Sequence, residues 1–309
     1  MVLFTSNKPL VRAENIKAVY RAYNGAKEFI QVNPWKRNPG LTSKRFTLRV
    51  TDEFISSSPR KAIMIGHAIN GGKTFGLHQP HPYFSRDKAR LLDYVIATSE
   101  AMVQLTAEQS GVDVSQVLPL GLPRTDAYFG AKKGDGYTFL ASKRAYLFAP
   151  TFRTKEETPM PSIDWQWIDK QLTDDEILVV KPHMMTQHLL EGEYEHIVEV
   201  SSRQPSTPYL IDCDVLITDY SSILMDAHVL GKPVVLFEKQ KGYLETRGMY
   251  LEYPGGYASR YCTNEKDLVD LIKSADGQGA EDIHCREVTA SACDGHSTER
   301  VIDLIKGLV

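Results

Sequence analysis

Cysteine is scarce in this chain. Its four cysteines in 309 residues, Cys213, Cys262, Cys285 and Cys293, all lie in the last third. That is too few for a disulfide framework and fits a chain folded in a reducing compartment. Long apolar runs are missing too. None approaches the roughly 18 residues that a membrane-spanning helix needs. The opening MVLFTSNKPLVR lacks the basic segment and long apolar stretch of a secretory signal, so none is expected. There is no large excess of either charge: 36 Lys and Arg stand against 39 Asp and Glu, a net of −3, so no overall positive field attracts nucleic acid. No fixed-period repeat or low-complexity tract occurs.

What is present is an ordinary globular composition, 42% hydrophobic and 24% charged, which excludes a disordered or collagen-like chain. The length suggests two domains, each able to bury a core without staples. Buried-strand patterns alternate with helical ones. ENIKAVYRAY, starting at Glu14, has helical spacing and KEFIQV follows as a strand. KAIMIGH, LDYVIATS and VLPLGLP read as strands, and Ser99 can cap the helix EAMVQLTAEQ. A polar, glycine-rich stretch at 130–143 marks a boundary. Beyond it AYLFAP, EILVVKPH, DVLITDYSS and PVVLF read as strands. SIDWQWIDKQL, ILMDAHVLG, NEKDLVDLIKSA and STERVIDLIKGLV read as helices. This is an α/β pattern of parallel sheets covered by helices. The expected domains are 1–138, 139–296 and a terminal helix, 297–309, packing back on the first. Ligands in such sheets bind outside the strand carboxyl ends, and the polar motifs fall there.

The richest motif is DVLITDYSSILMDAHVLGKPVVLF. A buried strand leads through Asp219-Tyr220-Ser221-Ser222 into a helix, whose first N–H groups and two hydroxyls could cradle a phosphate. Plain N-capping would explain the serines equally well. Asp226 follows on the same side of the helix. In KPHMM, Pro182 halts the strand and places His183 at its end. GHAINGG repeats that arrangement with His67. Either histidine could act as a base or as a positive group beside phosphate; a satisfied loop histidine is the alternative. APTFR ends a strand with Arg153, and Arg247 lies in ETRGMYLEYPGG; both could hold phosphate oxygens or sit at the surface. His78 and His81 have H-x-x-H spacing, but Pro80 and Pro82 oppose the helix a zinc pair needs, so no metal is assigned. The tract 29–51 carries Lys36, Arg37, Lys44, Arg45 and Arg49 beside Trp35 without an acid. It reads as a solvated face or as a surface for an anionic membrane or phosphate-rich acceptor.

These segments, in this order, resemble the CDP-glycerol glycerophosphotransferase family, which builds teichoic acids and related glycerol- or ribitol-phosphate polymers. The strand-DYSS-Asp-Lys-Pro segment carries most of the resemblance. RGMYLEYPGG, KPH, APTFR, LGLPRTD and DGHSTERVIDLI fall in the family's order around it. The chain departs where the family shows Trp-His-Gly-Thr-Pro-Leu-Lys: it reads Ile65-Gly66-His67-Ala68-Ile69-Asn70-Gly71-Gly72-Lys73, keeping the His and a Lys. It is expected to be a short member without extra N-terminal domains.

The resemblance implies a GT-B architecture, two Rossmann-like domains with a cleft between them. It implies transfer of a polyol phosphate from a CDP-polyol, CDP-glycerol foremost, to a hydroxyl of an undecaprenyl-diphosphate-linked or polymer acceptor, with release of CMP. His67 would be the general base, and His183 would stabilise the pyrophosphate and leaving CMP. Ser221, Ser222, Asp226, Arg153 and Arg247 would hold or orient the donor phosphates. No cofactor, metal or nucleic acid is implied, and the expected location is cytoplasmic, peripheral at the inner membrane face. A GT-B nucleotide-sugar glycosyltransferase and a non-catalytic nucleotide-binding member of the family are the alternatives.

Overall fold

The structure, a computed structural model, describes residues 1–10, 12–32, 45–52, 61–66, 68–72, 89–153, 162–186, 188–239, 244 and 248–309. Contacts divide the chain into two units, Met1–Phe129 with Glu287–Val309, and Gly130–Arg286.

The first unit is built on a parallel sheet. Its strands are β1 (Val2–Ser6), β2 (Lys27–Gln31), β3 (Leu48–Thr51), β4 (Lys61–Met64), β5 (Tyr94–Ile96) and β6 (Val117–Leu118), in the order β2-β1-β3-β4-β5-β6. β1 and β3 are buried along their whole length, as strands of a sheet covered on both faces must be. Helix α1 (Glu14–Ala22) buries Ile16 and Val19, with Glu14 in its first turn and Arg21 in its last, the signs that the helix dipole favours. Ser99 accepts the Met102 N–H at 3.2 Å and opens a 3₁₀ turn before α2 (Val103–Ser110). The expected strand VLPLGLP is cut to two residues. Pro119 has no N–H to continue the ladder, and Gly121 adopts φ +78, where a Cβ would lie 2.1 Å from the Ala292 carbonyl oxygen.

The second unit holds β7 (Arg144–Phe148), β8 (Glu176–Val180), β9 (Ile197–Glu199), β10 (Val215–Thr218), β11 (Val234–Phe237) and β12 (Arg260–Cys262). All pair in parallel, in the order β12-β11-β10-β7-β8-β9. Counted within the unit this is 3-2-1-4-5-6, the dinucleotide-fold order. Its helices are α3 (Thr138–Ala141), α4 (Trp165–Asp169), α5 (Thr207–Asp212), α6 (Ile223–Val229) and α7 (Glu265–Ser274), and α8 (Ala280–Ala290) starts in this unit and continues past its end at Arg286. Tyr146, Phe148, Val215, Ile217, Val235 and Phe237 alternate onto one sheet face, which α4 and α7 cover with Trp165, Ile168, Leu268 and Ile272. Asn264 caps α7 by accepting the Asp267 N–H at 2.9 Å. The terminal helix α9 (Ser297–Leu308) lies in the first unit. The two parallel sheets bear out the α/β, Rossmann-like expectation.

The contacts place the first boundary at 129/130, where the sequence reading put it at 138/139. Asp212 explains the difference. Its carboxylate accepts the N–H groups of Gly134 at 2.8 Å, Gly136 at 3.2 Å, and Tyr137, fastening the glycine-rich stretch to the second unit. In the basic tract 29–51, Arg45 is exposed, as a solvated face expects, and Arg49 is not. Arg49 points from β3 into the interior and donates to the Thr5 hydroxyl at 2.8 Å. Arg45 pairs with Glu28 at 2.8 Å. Trp35, Lys36, Arg37 and Lys44 lie outside the described residues.

Candidate active site

A doubly wound sheet binds ligands where its strand order reverses, beyond the strand carboxyl ends. In the second unit that point lies between β7 and β10, which are neighbours in the sheet. The chain leaves β7 as Ala149-Pro150-Thr151-Phe152-Arg153 and leaves β10 as Asp219-Tyr220-Ser221-Ser222. Asp219 joins the two exits. Its Oδ1 accepts the N–H groups of Thr151 and Tyr220, both at 2.7 Å. Its Oδ2 accepts from Arg153 Nη2 at 2.8 Å, with both side chains only 7% exposed. Arg153 Nη1 also donates to the Thr151 carbonyl at 3.0 Å, and the guanidinium lies 5.7 Å from the Tyr220 ring. The arginine fork expected to serve phosphate is thus already oriented by a carboxylate and a carbonyl. That fixes its position and lowers the entropy lost on meeting a ligand.

His183 leaves the adjacent strand β8. Its ring stacks on Phe152, centroids 4.6 Å apart at 29°, and its Nδ1 accepts the Met185 N–H at 3.2 Å. In the neutral ring the proton is therefore assigned to Nε2, so His183 is built as a donor toward whatever meets that edge. The preceding Lys181 is buried, and its ammonium donates to the carbonyls of Pro182 at 3.0 Å and Ser202 at 3.2 Å. Burial pushes its pKa down to about 8.

Ser222 occupies the N-cap position of α6 but makes no side-chain cap hydrogen bond, so capping does not account for its hydroxyl. Asp226 lies further into α6 and is buried. A layer behind these residues supports them: Glu238, just past β11, accepts hydrogen bonds from Tyr220 and, at 2.6 Å, from Tyr261. Burial and the bond to Glu238 push the Tyr220 pKa up.

The structure therefore brings Arg153, His183, Ser221 and Ser222 to the exits of three neighbouring strands, β10, β7 and β8. His67 and Arg247 lie outside the described residues, as do His78 and His81. Gly66, next to His67, has φ +80, a conformation that glycine adopts without strain. Its carbonyl accepts from Asn15 Nδ2 at 3.1 Å. Asp219, Phe152, Lys181 and Glu238 were not singled out as site residues from sequence; their position at strand ends is the signal that marks them. Among the described residues, Asp174, Glu195 and His196 bring ligand-type atoms within 4.8 Å of one another. They sit at the starts of β8 and β9, opposite the exits just described.

The comparisons with known proteins agree on a class. The chain superposes on a structure of a variant of the wall teichoic acid polymerase TagF with TM-score 0.80 and 19% identity, covering 100% of this chain and 89% of that one. This places the fold among GT-B-type proteins. Residues 41–307 match the family model described as CDP-glycerol:poly(glycerophosphate) glycerophosphotransferase, and the chain belongs to that family. It is 28% identical over 267 residues to the teichoic acid poly(ribitol-phosphate) polymerase of Bacillus spizizenii, covering 79% of this chain and 42% of that protein. It is 27% identical over 310 residues to the teichoic acid glycerol-phosphate primase of Bacillus subtilis, covering 95% of this chain and 77% of that protein.

Proposed function

We propose that this chain transfers a polyol phosphate, glycerol phosphate foremost, from a CDP-polyol to a hydroxyl of a teichoic-acid-type acceptor. The acceptor oxygen forms a bond to the phosphorus that carries the polyol. The bond from that phosphorus to the bridging oxygen breaks, and CMP leaves with the electron pair. His67 takes the hydroxyl proton, a role that rests on the family resemblance. His183 Nε2–H donates to the phosphate oxygens and steadies the leaving CMP. Arg153, held by Asp219, and the hydroxyls of Ser221 and Ser222 hold the donor phosphates. Asp226 and Arg247 orient the same group. Phosphoryl transfer asks the protein mainly for positioning and charge stabilisation, which donors of this kind supply. The acceptor in this reading is linked to undecaprenyl diphosphate and met peripherally at the inner membrane face; no helix among the described residues is long and apolar enough to cross a membrane.

The observation that carries the reading is the meeting of His183, the Arg153–Asp219 pair and Ser221-Ser222 at the reversal point of a dinucleotide-type sheet. A thermal-shift screen of CDP-glycerol, CDP-ribitol, UDP-sugars and GDP-sugars tests it. A true donor at a hundredfold its Kd stabilises the fold by about 2.7 kcal/mol, so a CDP-polyol is expected to raise the melting temperature. A shift with UDP- or GDP-sugars and none with CDP-polyols would favour the glycosyltransferase alternative.

A further inference from the structure

The first unit has a reversal point of its own, between β1 and β3, because its strand order runs β2-β1-β3. β1 and β3 pair in parallel with Thr5 opposite Thr51, so Ser6 and Asp52 stand side by side at the carboxyl end. Ser6 donates to Asp52 Oδ2 at 3.0 Å and accepts the Lys8 N–H at 3.0 Å. Asp52 is 4% exposed, yet among the described residues its buried Oδ1 has no hydrogen-bond partner, and the same holds for Asn7 Oδ1 on the neighbouring exit. Two unmatched buried acceptors at one strand-end step are unusual, because buried polar atoms are almost always paired and an unmatched one costs stability. Such a cost is explained if a ligand supplies the donors.

The chemistry required of that ligand is specific. Both orphan atoms are oxygens, and a polyol offers several O–H donors. A metal ion would also suit oxygens, but burial raises the Asp52 pKa in spite of the opposing charge of Lys8, which disfavours the ionised carboxylate that a bound cation needs. We propose that this edge is the acceptor subsite, in which Asp52 and Asn7 accept hydrogen bonds from the hydroxyls of the acceptor's terminal polyol phosphate and Lys8 meets its phosphate. The inference rests on the transferase reading and deepens it on the acceptor side.

Titration calorimetry with a short synthetic glycerol-phosphate oligomer, without donor, tests it directly. The full chain is expected to bind the oligomer. Asp52→Asn is expected to weaken binding by about ten- to a hundredfold, the range for losing a hydrogen bond to a charged group, and Asn7→Ala by a smaller factor. CDP-glycerol binding is expected to stay unchanged in both variants. Equal oligomer binding by the full chain and both variants, or no oligomer binding by the full chain, overturns the proposal. So does Asp52-dependent binding of magnesium with none of the oligomer. If Asp52→Asn does not fold by circular dichroism, Asn7→Ala decides. Failure of CDP-glycerol binding alongside Asp52-dependent oligomer binding removes the donor reading and leaves a polyol-phosphate subsite standing.

Discussion

Asp219 satisfies two backbone N–H groups with one oxygen and a guanidinium with the other. A carboxylate so placed holds the β7 and β10 exits in one arrangement before any ligand arrives, the kind of preorganisation that electrostatic catalysis depends on. Lys181 works on the neighbouring exit by tying the carbonyl next to His183 to the loop after β9. Its charge carries a cost that pH can expose. The folded pKa near 8 lies below the usual 10.5, so between those values the unfolded chain binds more protons than the folded one. Unfolding free energy therefore gains a contribution that rises with pH across that window. Urea unfolding in pH steps from about 7 to 10 is expected to show this rise in the wild type relative to Lys181→Met. Parallel pH profiles for the two proteins would contradict it.

Two motif segments that belong to the family pattern turn out to serve an element rather than the chemistry. LGLPRTD and DGHSTERVIDLI grip each other. Asp126 accepts the N–H groups of Ser297 at 3.0 Å and Thr298 at 2.6 Å, capping α9 from a distant segment. Arg300 Nε donates to the Leu120 carbonyl at 3.0 Å, and the Thr298 hydroxyl donates to that of Pro123 at 3.2 Å. Asp126→Ala is expected to cost about 1–2 kcal/mol, as the loss of an N-cap does, lowering the melting temperature while donor affinity holds. A large loss of CDP-glycerol binding without loss of stability would show the aspartate to be a ligand contact instead. Legibility at this scale followed the strength of the hydrophobic period. The fully buried strands β8, β10 and β11 were evident from their Val, Ile and Leu runs. α8 was not, because its buried face is Asp282, Cys285, Thr289 and Ala290 while Ile283 is exposed. β1 has only the pattern of a short apolar opening, and β3 lies in a tract whose pattern is dominated by its basic residues. Strand-end residues such as His183 and Arg153 could be named from sequence. The Arg153–Asp219 pair could not, since its members are 66 residues apart and only the β10-β7-β8 order makes them neighbours.

Across the whole molecule, each unit carries one sheet with one reversal point, and each reversal point gathers polar side chains of a different kind. The second unit collects Arg153, His183 and two serine hydroxyls, donors suited to phosphate, around the carboxylate of Asp219. The first collects acceptors at Asp52 and Asn7, suited to hydroxyls. That asymmetry matches the two substrates of a polyol-phosphate transfer, one bearing the phosphates and the other the attacking hydroxyl. The direct test is CMP release from CDP-glycerol, measured with and without a glycerol-phosphate-terminated acceptor, for the wild type and His183→Ala. Release is expected to depend on the acceptor and to fall by about a hundredfold or more in the variant, as when a positioned hydrogen-bond donor to developing charge is lost. Release by His183→Ala at the wild-type rate, or no acceptor-dependent release by the wild type, would contradict this.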